Sequence, residues 1–341
     1  MGYRIGSFNM RNIGQTALGA NNSRNLKTIA KIIKNEKFDV VALQEVLSQG
    51  KAFTSPDFAK KSILMELGPD WDFKWADAKS DNDPRHEGFA FVWRKSRLRL
   101  CTAKVLTPYG EIERTFYPRI CTVNHEDMMR KPYYGRFTAN GIPGGTNVEF
   151  RLICIHAYYG KADNSIEREI RQHELDVLMK DIYPQITDRR YGDPMTAYTI
   201  LLGDYNAELW TNESRVWQEP LKKTRTGKKP AILRADNNGI VYSNRYGGRA
   251  IKTVQDQLTT LKSKTGENGN EEFDTAGYSF NYDHFSYEEA KFKDVKIKVK
   301  RVTKAVTDYC KVDGGDYESE YEKYYKTVSD HIPIMMEIEL R

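Results

Sequence analysis

Four apolar runs in this 341-residue chain close on polar side chains that packing alone does not call for. "SFN" ends in Asn9, "LQE" in Gln44 and Glu45, "CIH" in His156, and "LLGDYN" in Asp204 and Asn206. A fifth, "SDHIPIMMEIEL", is headed by Asp330 and His331. The carboxylates and side-chain amides offer hard oxygen ligands, which suit Mg²⁺ or Mn²⁺ and not zinc. The two histidines offer a general base and a general acid. Hydrolysis of a phosphate ester needs this combination: a cation on the phosphoryl oxygens, an activated water and a donor to the leaving oxygen.

Each residue alone also has an ordinary reading. Asn9 serves as a turn former, Glu45 as a strand-end carboxylate, Asp204 as a turn partner of Asn206, His156 as a satisfied core imidazole and Asp330 as a cap. Their joint occurrence favours chemistry. A random chain of 341 residues contains a GDxN match on the order of 4% of the time. Here the match follows an apolar strand, as a site motif should. No GxSxG serine, P-loop or helix-opening GxGxxG is present, and no cysteine pair has metal spacing. Cys101, Cys121, Cys154 and Cys310 stand singly, and Cys154 in "RLICIHAY" reads as a buried thiol.

The elements that must position these residues are mostly strands. "YRIGSFNM", "FDVVALQEV", "GFAFVWR", "RLRLCTAKVL", "YYGRFTA", "VEFRLICIHAY", "AYTILLGDY", "VKIKVKRVT" and "DHIPIMMEIEL" carry strand patterns. "SRNLKTIAKIIKNEK" has helical spacing with Ser23 placed to cap it, and further helices are predicted at about 55–67 and 165–182. Strands mostly follow strands, which predicts a mixed or antiparallel α/β or α+β sandwich over a doubly wound parallel sheet. No long Pro/Gly/Ser linker divides the chain, so residues 1–341 read as one domain, with a loop-rich insertion at about 211–280 that carries the basic run "LKKTRTGKKP".

The formal charge of +6 and pI near 8.8 are compatible with a polyanionic partner without requiring one. No run of apolar residues is long enough to span a membrane, and "MGYRIGSFNM" lacks the core of a signal peptide. As given, the chain reads as cytoplasmic, or as secreted if a leader preceded it.

Nearly the whole chain resembles the endonuclease/exonuclease/phosphatase superfamily, and within it the deoxyribonuclease I branch. "IGSFNMRNIG" is similar to that branch's opening strand, including Arg11, and "VVALQEV" carries its metal-binding glutamate at Glu45. "EGFAFVWR" resembles the segment whose glutamate, here Glu87, pairs with the histidine that is here His156. "MMRKPYYGRF" is similar to a phosphate-contacting segment and places Arg130 near substrate. "LLGDYNAEL" matches GDxN at Asp204 and Asn206, "FNYDHF" supplies Asp283, and "VSDHIPI" supplies Asp330 and His331. Leu47 stands where many secreted members carry a groove-reading arginine, and His284 and Phe285 replace the motif's usual Arg and Ile.

The resemblance implies a four-layer sandwich of two packed mixed sheets flanked by helices. It implies that Glu45 holds an essential Mg²⁺ or Mn²⁺, with Ca²⁺ as an alternative structural ion, and that Asn9, Asp204 and Asp330 lie on or beside metal and phosphate. Asp283 would orient His331 and Glu87 would orient His156. Asn206, Arg11 and Arg130 would hold the substrate. The leading expectation is a monomeric, metal-dependent endonuclease acting on double-stranded DNA. A phosphatase or phosphodiesterase for a phosphoinositide, sphingomyelin or another small phosphate ester is the alternative on the same fold, and a catalytically silent binding module is the alternative of a different class.

Overall fold

The computed structural model describes residues 2–13, 24–47, 62–77, 87–105, 130–140, 148–159, 171, 174–175, 177–191, 195–206, 232–236, 239–243, 249–254, 258–261, 264–265, 271–272, 279–312 and 316–340. Two mixed sheets dominate it. The first runs in the order β15 (Val295–Arg301), β16 (Ile334–Leu340), β1 (Gly2–Ile13), β2 (Val40–Val46), β4 (Gly88–Arg94), β3 (Trp71–Asp77). The second runs β5 (Leu98–Val105), β6 (Tyr133–Ala139), β7 (Val148–His156), β8 (Thr196–Asp204), β14 (Asp283–Glu288), β11 (Ala250–Val254), β10 (Gly239–Ser243), β9 (Ile232–Asp236). A two-residue pair, β12 (Lys264–Thr265) and β13 (Glu271–Glu272), stands outside both. In each sheet one central pair is parallel, β1 with β2 and β7 with β8, and its other neighbours are antiparallel.

Period-2 alternation sorts each central strand between two cores. Tyr3 and Ile5 of β1, Val40 and Ala42 of β2, Leu152 and Cys154 of β7, and Ile200 and Leu202 of β8 fill the core between the sheets. Phe8, Met10, Val41 and Leu43 face the other way, onto a core closed by α1 (Leu26–Asn35) and α2 (Ile63–Leu67). Ile153, Ile155 and Leu201 pack on the second sheet's outer layer, where a π-helical turn, Leu178–Ile182, runs into α3 (Tyr183–Asp188). Helix, sheet, sheet, helix is the four-layer order expected. Burying each Leu, Ile or Phe of the middle core contributes about 1.5–3 kcal/mol.

In detail the structure departs from the sequence patterns. The α1 cap is Asn25, whose Oδ1 accepts from Thr28 N at 3.0 Å, while Ser23 lies outside the described residues. Within the segment read as loop-rich, β9, β10 and β11 extend the second sheet through β14. The lysine row of β15 borders an edge, as its alternation suggested, and Lys300 pairs with Glu337 at 3.0 Å. Two short helices, α4 (Lys304–Thr307) and α5 (Glu320–Thr327), complete the first sheet's cover. Among the described residues Cys101, Cys154 and Cys310 are free thiols, and no helix is long and apolar enough to cross a membrane.

Candidate active site

The alternation that fills the middle core also builds the site. Continuing the inward positions of each strand leads from Ile5 to Asn9, from Ala42 to Gln44, from Cys154 to His156 and from Leu202 to Asp204. Asp283 opens β14 on the face that Phe285 continues. All five are at least nine-tenths buried, so the core ends in a polar wall rather than in solvent. Above that wall lies a cavity of about 360 Å³, lined by Glu45, Arg130, His156, Asp204, Asn206, Asp330 and His331 together with Tyr159, Phe280, Tyr282 and Tyr325.

Parity alone would turn Glu45 toward the helices. Leu43 and Val46 both face the helix-side core, so the alternation slips by one residue between them. The slip is taken up by Glu45, at φ 55°, which brings its carboxylate back to Asn9. Arg11 and Asn206 are also held at positive φ, 45° and 47°, and β1 shifts register between Asn9 and Ile13. Such conformations cost about 1–3 kcal/mol each and persist where surrounding contacts enforce them. Gly203 has φ 146°, and a Cβ there would lie 2.0 Å from the Ile155 carbonyl oxygen of the neighbouring parallel strand. The glycine of GDxN is therefore required by the approach of β7, and it sets the turn that delivers Asp204 and Asn206.

Both histidines are tied to carboxylates through Nδ1. His331 Nδ1 lies 2.8 Å from Asp283 Oδ2, and His156 Nδ1 lies 2.9 Å from Glu87 Oε2. Each Nε2 then points at the same atom, Asp204 Oδ2, at 3.6 Å from either ring. Burial opposes charge on His331, but Asp283 and Asp204 outweigh it and hold the imidazole well above its ordinary pKa. His156 is also raised: burial and Arg130 oppose its charge, and Glu87 and Asp204 prevail. Burial would raise Glu87, yet His156 and then Arg130 bring it down to about 2. Burial lifts Glu45 above the ordinary carboxylate range, only partly offset by His156.

Arg130 is buried in the cavity wall, with Nε 2.5 Å and Nη2 3.1 Å from the Glu87 carboxylate and Nη1 donating to the Ala157 carbonyl at 3.3 Å. Asn206 is fixed by its Nδ2 on that same carbonyl, 2.8 Å, and by its N–H on Asp204 Oδ1, 2.8 Å. Arg11 stands at the rim: its guanidinium lies 3.9 Å over the Tyr325 ring, donates to the Tyr325 carbonyl at 2.9 Å and approaches Asp330 at 3.4 Å. The basic run at 222–229 falls outside the described residues.

The donors fit a hard divalent cation. Carboxylate oxygens of Glu45, Asp204 and Asp330 share the cavity, and no thiol among the described residues lines it. Among the described residues, the acid–imidazole cluster of Glu45, Glu87 and His156, with ligand atoms within 4.8 Å of one another, differs from the expected ligand set. Since Glu87 is engaged by Arg130 and His156, the open acid of that cluster is Glu45. Asn9 turns its amide nitrogen inward, 3.0 Å from both Glu45 Oε1 and Asp204 Oδ2, while its oxygen accepts from Arg11 N at 2.9 Å. Asn9 thus bridges the two acids through its amide nitrogen.

Sequence patterns did not point to several residues that complete the site. Ser329 Oγ donates to the Asn9 carbonyl at 2.8 Å and accepts from His331 N at 3.1 Å, tying β1 to the Asp330–His331 segment. Gln44, already singled out beside Glu45, donates to Ser7 Oγ within its own sheet at 3.2 Å and to Cys154 Sγ of the other sheet at 3.1 Å. Thr260 forms a bridge with His331. The clue for Ser329 was its place next to Asp330; for Thr260 there was none, because only the folded chain brings it near.

A search of curated proteins by sequence finds no match. Solved structures do match in fold. An endonuclease/exonuclease/phosphatase family protein from Bacteroides thetaiotaomicron is 14% identical with a TM-score of 0.51, covering 100% of this chain and 98% of that one. A functionally unknown conserved protein from Enterococcus faecalis V583 is 14% identical with a TM-score of 0.52, over 99% and 100%. ANGEL2, a 2′,3′-cyclic phosphatase, is 14% identical with a TM-score of 0.50, over 100% and 96%. The profile of the endonuclease/exonuclease/phosphatase family matches residues 6–331, nearly the whole chain, and the chain belongs to that family.

Proposed function

We propose that this chain hydrolyses phosphodiester bonds of DNA as a Mg²⁺- or Mn²⁺-dependent endonuclease. Family membership supports the coarser statement, a metal-dependent phosphoester hydrolase. One observation carries the chemistry: two carboxylate-anchored imidazoles aim their Nε2 atoms at one buried carboxylate oxygen, each from 3.6 Å. A divalent cation bound at Glu45 would supply Lewis-acid polarisation of a phosphoryl oxygen. The protein's groups do the rest. His331 and His156, both biased toward the protonated form, donate to the phosphoryl and leaving oxygens. Burial raises Asp204 toward a basicity useful for taking a proton from the attacking water. In this reading the base role expected of one histidine passes to Asp204, and both histidines become donors. Arg130 and Asn206 fix the cavity wall against which the phosphate would sit.

A second reading, hydrolysis of a small phosphate ester, is favoured by the modest size of the cavity. Supercoiled plasmid, linear DNA, RNA and phosphoinositides, each incubated with Mg²⁺ or EDTA, separate the two. DNA cleavage that EDTA abolishes is expected. Release of phosphate from phosphoinositides with DNA left intact would replace the first reading by the second, and undiminished activity after exhaustive chelation would remove the metal from both.

A further inference from the structure

Two aromatic rings line the mouth of the cavity outside the three cores. Phe280 and Tyr282 belong to none of the three cores, yet their rings stack with centroids 5.0 Å apart and planes only 6° from parallel. Phe280 leaves 42% of its surface exposed, and both rings line the same cavity as Glu45, Asp204 and His331. What sets Phe280 apart from the other exposed apolar residues is its stack on Tyr282 beside the catalytic groups.

The pair is also rigidly registered to the catalytic groups. Thr259 and Thr260 donate their N–H groups to the Phe280 carbonyl at 2.7 and 2.9 Å, and Phe280 N–H donates to Thr260 Oγ1 at 2.8 Å. Thr260 bridges His331, Leu261 N–H donates to the Asp330 carbonyl at 2.7 Å, and Ile332 N–H donates to the Thr259 carbonyl at 2.8 Å. On the other side, Tyr282 immediately precedes Asp283, the anchor of His331, and its carbonyl accepts from Tyr205 N–H at 2.7 Å. A flat, uncharged surface is thereby held in place before any ligand arrives.

We propose that the Phe280–Tyr282 stack is a platform for a nucleobase of the strand whose phosphate enters the cavity, so that the substrate is a nucleic acid strand with an unpaired base. The inference rests on the phosphodiester reading above and narrows it. Base–aromatic stacking contributes between about fivefold and about a hundredfold in affinity per base, with little dependence on sequence. Within a duplex both faces of a base are covered by its neighbours, so a platform of this kind selects single strands, frayed ends or gaps. A sugar ring, which offers only C–H groups to a ring face, is the competing occupant.

The test is equilibrium binding, followed by fluorescence anisotropy in EDTA, of two labelled strands equal in length and charge. One is a short thymidine strand; in the other every base is replaced by an abasic tetrahydrofuran unit. The wild-type protein should bind the base-bearing strand about tenfold more tightly. Phe280→Ala and Phe280→Leu should lower that affinity to the abasic level, and Phe280→Trp should keep it, with melting unchanged in all three. Equal affinity of the wild type for both strands, or a Phe280→Ala loss shared equally by both, overturns the proposal and leaves the sugar or a purely structural role. The binding readout does not depend on turnover. Absence of cleavage in Mg²⁺ would therefore remove the hydrolase reading while base-dependent binding left the platform standing.

Discussion

Asp204 is the residue on which the site converges, and its two imidazole neighbours give the sharpest tests. His331→Ala and His156→Ala should each lower turnover by roughly a hundredfold to ten-thousandfold, the range for a lost proton-transfer partner. Asp283→Asn should follow His331→Ala, because an amide cannot hold a protonated imidazole at 2.8 Å as a carboxylate does. If any of the three keeps near wild-type turnover while folded, that residue's role is wrong. Glu87 allows a test that needs no substrate. Its folded pKa is depressed from the ordinary 4.5 to about 2, so its stabilising contribution is complete above 4.5 and is lost as pH falls toward 2. The melting temperature of wild type should decline through that window more steeply than that of Glu87→Gln, which has no proton to take up there. Parallel curves for the two proteins would show that the Arg130–Glu87–His156 cluster stores no pH-dependent stability.

Strands, rather than loops, carry most of the catalytic groups, and this explains what could be read in advance. β2 and β4 are near-continuous apolar runs and β1, β7 and β8 carry alternating or short apolar runs, so their existence and the polar residues at or beside their ends were visible in the sequence. β14, "DHFSYE", was not visible as a strand. Its outward residues His284, Ser286 and Glu288 are polar yet buried: Ser286 Oγ pairs with the Tyr205 hydroxyl at 2.9 Å, the Glu288 carboxylate lies 3.4 Å from Arg249, and the His284 ring packs edge-on against Tyr205. β9 to β11 were hidden for a related reason: their turn-rich sequence becomes sheet through pairing with one another and, at β11, with β14. The rim built from 258–261 and 279–282 depends on a bridge to His331 that no local pattern announces. At this scale Gly203 is the critical position. Gly203→Ala would place a methyl against the Ile155 carbonyl and force an unfavourable φ. It should destabilise the protein by about 2 kcal/mol or more and displace Asp204. A urea melt together with turnover per folded molecule checks this; an unchanged midpoint would mean that β7 and β8 can separate to admit the side chain.

Across the whole molecule the polar wall, the two Nδ1-anchored histidines and the aromatic rim face one opening between the sheets, and the net charge of +6 bears on what can approach it. If DNA is the ligand, its backbone meets Arg11 at the rim first. Affinity should then fall with salt at a log–log slope of about −0.9 for each phosphate neutralised. The basic run contributes Lys222, Lys223, Arg225, Lys228 and Lys229 to the sequence on which that slope depends. Neutralising those five should flatten the slope and weaken binding to all sequences alike, with turnover at saturating DNA unchanged. Arg11 differs because its guanidinium is held by the Tyr325 ring and lies 3.4 Å from Asp330. Arg11→Ala should reduce the slope by about one phosphate and also lower turnover, since Asp330 loses the partner that places it in the cavity. Binding titrations across a salt series, paired with plasmid nicking by the same variants, decide the matter: a slope near zero in the wild type would rule out a DNA backbone as the ligand.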